Sequence, residues 1–118
     1  MAKRQRRTTE AGINRRIREG RGKGRLGSYS PWLHIQDVPS RGLVTRIKGW
    51  KSGRVHHLLS LLELRCLYVL DWDPEVIDVR EQYPLLPRDE TLAIAADCGI
   101  KHPKDPRTGY PIVMTTDF

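Results

Sequence analysis

The chain has 118 residues, enough for one domain, and its 21 Lys or Arg against 14 Asp or Glu give a net charge of +7. No apolar run approaches the roughly 18 residues of a membrane-spanning helix, and the basic N-terminus lacks the apolar segment of a secretory signal. We therefore expect a soluble, intracellular protein.

The positive charge is concentrated at the N-terminus, where residues 1–25 hold ten basic side chains against two glutamates. The ten are Lys3, Arg4, Arg6, Arg7, Arg15, Arg16, Arg18, Arg21, Lys23 and Arg25. Because glycines are frequent and apolar side chains few, residues 1–28 are predicted to form a flexible basic arm, with a short helical turn at residues 15–18. Such an arm attracts polyanions, and we favour nucleic acid over a solvated tail or an address signal.

Two short strands and a long helix are predicted next. Residues 31–36 and 43–47 read as strands around a turn at residues 39–42. Residues 54–71 form the longest apolar run, whose three-and-four spacing predicts a buried helix capped by Ser52 and ended before Pro74. Cys66 and Cys98 lie in apolar runs and are expected to be buried small hydrophobes rather than a disulfide.

Glu63 stands out within this helix, because it shares an inward row with Leu59, Leu67 and Leu70. A carboxylate facing apolar surface is costly without a partner, and a metal ion or an arginine are the candidates. The alternative is a rim position, in which the carboxylate reaches solvent, Arg54 or Arg65. His56 and His57 are read as residues at the helix start.

The C-terminal part is predicted as a strand over residues 76–86, a helix over 91–100 and a final strand over 112–118. Glu81 falls on the apolar side of the first strand, and we prefer a salt bridge to an arginine for it. The chain stops within the last strand, so we expect it to be the N-terminal fragment of a longer protein.

Asp117 in that last strand and Glu63 in the helix form a candidate metal site. Carboxylate oxygens are the ligands that suit Mg²⁺ or Mn²⁺. Two acids that are distant in sequence are a weak signal by themselves, because most carboxylates lie on the surface.

Four motifs in one order resemble the TnsA family, the endonuclease subunit of Tn-seven-like heteromeric transposases, over roughly residues 29–118. The motifs are GRVHHLLS at 53–60 leading to Glu63, VREQYPLLP at 79–87, GIKHP at 99–103 and MTTDF at 114–118. The resemblance implies a restriction-endonuclease-like α/β core of the PD-(D/E)-x-K class over residues 29–118, incomplete at the C-terminus. It also implies a protein of the bacterial cytoplasm.

The resemblance further implies cleavage of the 5′, non-transferred strands at transposon ends, together with a DDE transposase, TnsB, and an ATP-dependent regulator, TnsC. Glu63 and Asp117 match the acids that bind Mg²⁺, for which Mn²⁺ substitutes. The family's next element, a strand with Gln-x-Lys or Glu-x-Lys, is absent here, so we expect this chain alone to be inactive and the parent protein to cut DNA. The alternative function is a non-catalytic DNA-binding or assembly module, in which Glu63 is a structural ion pair.

Overall fold

A computed structural model describes residues 8–37 and 44–118, and within them the chain forms a small α/β fold. The α/β part of the predicted fold is confirmed, and the restriction-endonuclease-like core stays a prediction. The helices are α1 (Glu10–Arg18), α2 (Leu61–Trp72) and α3 (Arg88–Asp97). The strands are β1 (Thr45–Lys48), β2 (Val55–Leu58), β3 (Tyr83–Pro84) and β4 (Thr115–Thr116). Short 3-10 helices cover Leu26–Ser28 and Ile35–Asp37.

The described strands pair in two antiparallel ribbons. In the first, β1 pairs with β2, with Thr45 opposite Leu58 and Lys48 opposite Val55. The second joins β3 to β4, with Tyr83 opposite Thr116. Because β3 and β4 are far apart in sequence, this second ribbon fixes the C-terminal residues beside the middle of the chain.

The predicted start of the central helix is wrong, because residues 55–58 form a strand rather than the first helical turn. His56 and Leu58 point inward while Val55 is exposed, which is the two-residue period of a strand. The helix cap is Ser60, whose hydroxyl accepts a hydrogen bond from the backbone N–H of Glu63 at 3.1 Å. Ser52, the predicted cap, lies in the turn between β1 and β2.

One face of α2 is buried, as predicted, whereas other apolar residues of the helix are exposed. Glu63 and Leu67 are buried, whereas Leu62 is 77% exposed and Val69 is 69% exposed. The expectation that both cysteines are buried is wrong, because Cys66 and Cys98 are exposed. The helix buries a narrow stripe because one sheet ribbon, rather than a surrounding core, packs against it.

The buried apolar side chains of the described residues form two small clusters. The larger joins β2, α2 and the segment before β3, through Leu58, Leu67 and Val79, with Phe118 packed against it. The smaller joins the N-terminal helix to Trp32 and Val113. Both clusters include residues from distant parts of the chain, so each packs an N- or C-terminal residue against residues from elsewhere in the chain.

The N-terminal segment contains more structure than the predicted arm. Thr9 caps α1 by accepting a hydrogen bond from the Gly12 N–H at 3.1 Å, and Ile13 of this helix is buried. Gly22 has a φ of +82°, and a Cβ there would overlap the Pro84 ring, so this glycine allows a close packing contact. The division of the chain at residue 28 stays a prediction about domains.

Other predicted elements are shorter or shifted. A 3-10 helix replaces the strand expected at residues 31–36, and the strand expected at 112–118 is reduced to β4. The strand expected at 76–86 is reduced to β3, and Ile77 is 85% exposed. The predicted turn at residues 39–42 lies outside the described residues. Within the described ranges, no helix has both the length and the apolar composition that crossing a membrane requires.

Candidate two-carboxylate site

Glu63 lies in the first turn of α2 and is buried, with only 8% of its surface exposed. Its Oε1 accepts a hydrogen bond from the side-chain amide of Gln82 at 2.8 Å, and its Oε2 accepts one from the Leu59 N–H at 3.1 Å. Neither prediction for its partner named these two donors. Arg54, one of the expected partners, binds Glu81 instead.

Asp117 is brought to the same place by the pairing of β3 with β4. The backbone N–H of Gln82 donates to the carbonyl oxygen of Asp117 at 3.3 Å, while the Gln82 side chain contacts Glu63. One buried glutamine therefore contacts the carboxylate of Glu63 and the backbone carbonyl of Asp117, which is an exposed residue. The hydrophobic periodicity did not mark Gln82 as a site residue, and in the sequence analysis it appeared only as part of the VREQYPLLP motif.

The electrostatics of Glu63 are consistent with this proximity. Burial raises the pKa of Glu63, and the nearby Asp117 carboxylate raises it further, against interactions with Ser60, Leu59 and Gln82 that lower it. The ionised form of Glu63 is thus disfavoured, and a cation beside both acids would favour it. That these acids are metal ligands stays a prediction.

The donor set suits part of a magnesium site. An ionised carboxylate has about four lone-pair positions, and Glu63 uses two of them. Mg²⁺ is commonly held by one or two carboxylates, with water and phosphate oxygens completing its shell. In residues 8–37 and 44–118 no group of three or more His, Cys, Asp or Glu side chains is arranged to hold a metal ion. Two acids with oxygen ligands from substrate and water fit Mg²⁺ better than a closed protein cage.

Glu81 is the centre of a separate buried network, and the predicted salt bridge to an arginine is confirmed. Glu81 is fully buried; its carboxylate binds the Arg54 guanidinium and accepts from the His57 N–H at 2.7 Å. Burial alone would raise its pKa, but the contacts with His56 and Arg54 outweigh burial and hold the pKa at about 2.

Ser52, His56 and Glu81 lie in a row that resembles a hydrolase triad. The Ser52 hydroxyl lies 2.8 Å from Nε2 of His56, and Nδ1 of His56 lies 3.2 Å from Glu81. His56 is fully buried, Ser52 is 8% exposed, and the carboxylate is also bound to Arg54. The row therefore holds the β1–β2 hairpin in place rather than presenting a nucleophile.

His57 lies on the opposite side of β2 rather than at a helix start. Its ring stacks on His34 with 4.7 Å between centroids, and its Nδ1 accepts from the Ile35 N–H at 3.2 Å. Burial lowers the pKa of both histidines, with neighbouring cations adding to the effect. Both rings are accordingly neutral at pH 7, and together they join β2 to the 3-10 helix at Ile35–Asp37.

The basic residues of the predicted arm divide into three groups. Lys3, Arg4, Arg6 and Arg7 lie outside the described residues. Arg15, Arg18, Lys23 and Arg25 are exposed. Arg16 lies over the Trp32 ring at 5.7 Å, and Arg21 is mostly buried, donating to the Trp32 carbonyl and to Asp37. Arg21 thus has a structural role that its place in a charge run did not reveal, and DNA contact by these residues stays a prediction.

A pocket of about 340 Å³ opens between the hairpin and the C-terminal half of α2, away from the acids. Its lining residues are Ile47, Lys48, Trp50, Leu67, Tyr68, Asp71 and Trp72. Trp50 is 76% exposed and Trp72 is 78% exposed, with their rings 6.5 Å apart. Neither Glu63 nor Asp117 lines this pocket.

The fold and site define a small α/β protein in which a buried glutamine contacts one acid in the first turn of a helix and the backbone of a second acid just after a strand. Comparison with curated proteins gives a more particular likeness: all 118 residues align, at 53% identity, with the transposon Tn7 transposition protein TnsA of Escherichia coli. The chain spans 42% of that protein's length. A scan against profiles of known protein families finds no match. The chain is TnsA-like over its whole length, which confirms the predicted resemblance.

Proposed function

We propose that this chain is part of a DNA endonuclease subunit that cleaves the 5′, non-transferred strands at transposon ends during cut-and-paste transposition. The likeness to TnsA over the whole chain supports transposition as the process. The observation that supports the nuclease role is that Gln82 binds the Glu63 carboxylate and the Asp117 backbone, and that the Asp117 carboxylate is near enough to raise the pKa of Glu63.

In this proposal Glu63 and Asp117 bind Mg²⁺, for which Mn²⁺ substitutes. An ion held by these residues would supply Lewis-acid chemistry at the scissile phosphodiester and would favour ionisation of a water molecule for attack. Gln82 and the Leu59 N–H fix the orientation of Glu63, and a bound cation would offset the effects of burial and of Asp117, both of which raise the pKa of Glu63.

The exposed basic residues provide the contact with DNA. Side chains of Arg15, Arg18, Lys23 and Arg25 are exposed and can reach phosphates, which fits a sequence-independent tether. DNA affinity falls as salt rises, so the slope of log affinity against log salt is negative. Changing these four residues to glutamine in the full-length protein is expected to make this slope less steep, by about 0.9 for each phosphate that the protein no longer neutralises. An unchanged slope would show that DNA binds elsewhere.

The protein partners in this proposal are a TnsB-type DDE transposase, which cuts the 3′ ends, and a TnsC-type ATP-dependent regulator. The fold that accompanies the proposal is a restriction-endonuclease-like core, which the α/β class supports. An experimental structure of the full-length protein tests it, because β3 and β4 should then join a larger mixed sheet.

A strand-specific nicking assay tests the catalytic role. Full-length protein, its transposase partner and Mn²⁺ are incubated with end-labelled transposon-end DNA, and 5′-strand cuts are counted separately from 3′-strand cuts. Glu63→Ala and Asp117→Ala should each lower the rate of 5′ cleavage by about 100-fold or more, because a metal ligand contributes several kcal/mol of transition-state stabilisation. Cutting of the 3′ strand and DNA affinity should persist.

Asp97→Ala is the matched control, because Asp97 is an exposed acid at the end of α3. It should cut both strands at the normal rate. Undiminished 5′ cleavage by either Glu63→Ala or Asp117→Ala would remove that residue from the metal site. Wild-type protein that binds DNA and never cuts the 5′ strand would instead identify a non-catalytic assembly module.

A further inference from the structure

Gln82 is the described residue through which the two acids are connected. It is only 3% exposed, although a glutamine side chain is usually found on the surface. Its side-chain Nε2 donates to Glu63 at 2.8 Å, and its Oε1 accepts from the Thr115 hydroxyl at 3.3 Å. Both ends of the amide are therefore bound, one to helix α2 and the other to strand β4.

The backbone of Gln82 is held from both directions as well. Its N–H donates to the Asp117 carbonyl at 3.3 Å, and its C=O accepts from the Trp32 N–H at 3.0 Å. These hydrogen bonds fix one residue between the N-terminal segment, α2 and β4. The position of the Gln82 side chain is consequently determined by the fold and not by solvent.

The conformation of Gln82 is unusual for its residue type. Its φ is +50°, in the left-handed region that glycine and asparagine adopt more easily. Strained backbone of this kind persists where the surrounding structure fixes it, and such residues are frequent at functional sites. In this fold the left-handed backbone of Gln82 accompanies the contact of Nε2 with Glu63.

The chemistry of an amide suits this position. Its N–H₂ group donates to an ionised carboxylate without adding charge, whereas a glutamate there would place a third acid beside Glu63 and Asp117. With Oε1 held by Gln82 and Oε2 held by Leu59, each oxygen of Glu63 keeps a lone pair for a ligand. The glutamine thus fixes the direction in which those lone pairs point.

We infer that Gln82 is a positioning residue of the two-carboxylate site, which orients Glu63 and couples it to strand β4, directly before Asp117. The inference rests on the proposed metal role of these acids. Loss of a hydrogen bond to a ligating carboxylate typically lowers metal affinity about 10- to 100-fold, and we expect an effect in this range.

The test variant is Gln82→Met in the full-length protein, because methionine has a similar length and removes the donor. Mn²⁺ binding is measured by titration calorimetry well below the melting temperatures, and 5′ cleavage is followed against Mn²⁺ concentration. We expect Mn²⁺ affinity to fall by about 10-fold or more, and cleavage to recover when Mn²⁺ is raised by the same factor. A merely structural role would not be rescued by metal.

Two further variants keep the test decisive. Gln82→Asn favours the left-handed backbone but is one methylene too short to reach Glu63, so it should repeat the loss of Mn²⁺ affinity even if Gln82→Met folds poorly. Gln36→Met changes an exposed glutamine and should leave Mn²⁺ binding unaltered.

The outcomes separate the inference from the proposed function. Wild-type affinity for Mn²⁺ in both Gln82 variants would overturn the positioning role while leaving Glu63 and Asp117 as ligands. Failure of the wild-type protein to bind Mn²⁺ or to cut DNA would overturn the proposed metal site, and the role of Gln82 with it.

Discussion

Replacing Glu81 with alanine is expected to lower the free energy of unfolding by about 3 to 5 kcal/mol, because it leaves the Arg54 guanidinium buried without its counter-charge. The Arg54 side chain is 8% exposed and Glu81 is fully buried, so water replaces little of the lost interaction. Urea denaturation at pH 7 measures the change. Glu81→Gln should cost less, because its amide still offers an acceptor to Arg54.

The same network predicts a dependence of stability on pH. The pKa of Glu81 is about 2 in the fold and near 4.5 when unfolded, so its ionised form stabilises the fold by on the order of 3 kcal/mol. Because the folded-state pKa is the lower one, this contribution is present above about pH 4.5 and is lost as the pH falls toward 2. In Glu81→Gln this part of the pH dependence should be absent.

Arg80→Ala is the matched control for the buried pair. Arg80 binds Asp78 with side chains 33% and 13% exposed, and loss of such a pair should cost about 1 kcal/mol or less. If Glu81→Ala and Arg80→Ala lowered the free energy of unfolding equally, the buried Glu81 network would be no more stabilising than the partly exposed Arg80–Asp78 pair.

The second large effect concerns the core face of α2. Leu67→Ala should lower the free energy of unfolding by about 2 to 5 kcal/mol, since Leu67 is 1% exposed and packs with Leu58 and Val79. Leu62→Ala on the same helix is the control, because Leu62 is 77% exposed and its loss should change stability by about 0.5 kcal/mol or less. Unfolding midpoints in urea compare the two, and similar losses would contradict the assigned orientation of the helix.

The periodicity of α2 predicted which row of residues points inward, but not how much of the helix surface is buried. Glu63 and Leu67 point inward as expected, because residues four apart share a helix face. The three-and-four apolar spacing also includes Leu62, Cys66 and Val69, which are exposed, because how much of a helix face is covered depends on neighbours that a helical pattern does not specify. The arginine partner of Glu81 was predicted because a buried charge needs one.

The hairpin and the glutamine show why other features escaped prediction. Over only four residues, the buried His56 and Leu58 fit a strand, but the same stretch also fits the continuing helical pattern. Ser60 and Thr9 are good capping residues, and they mark the starts of α2 and α1 in the sequence. Gln82 reaches Glu63 through a left-handed backbone conformation and a long-range strand pairing. Neither feature can be predicted from the residues next to Gln82 in the sequence.

The burial of Trp32 has a practical consequence for spectroscopy. The chain has three tryptophans, of which Trp32 is 2% exposed and hydrogen-bonded to the Gln82 carbonyl, whereas Trp50 and Trp72 are largely exposed. Converting the two exposed rings to phenylalanine would leave Trp32 as the single tryptophan of the chain, next to Gln82. Its emission would then report, in solution and without a label, whether the N-terminal segment stays docked while DNA or metal is added.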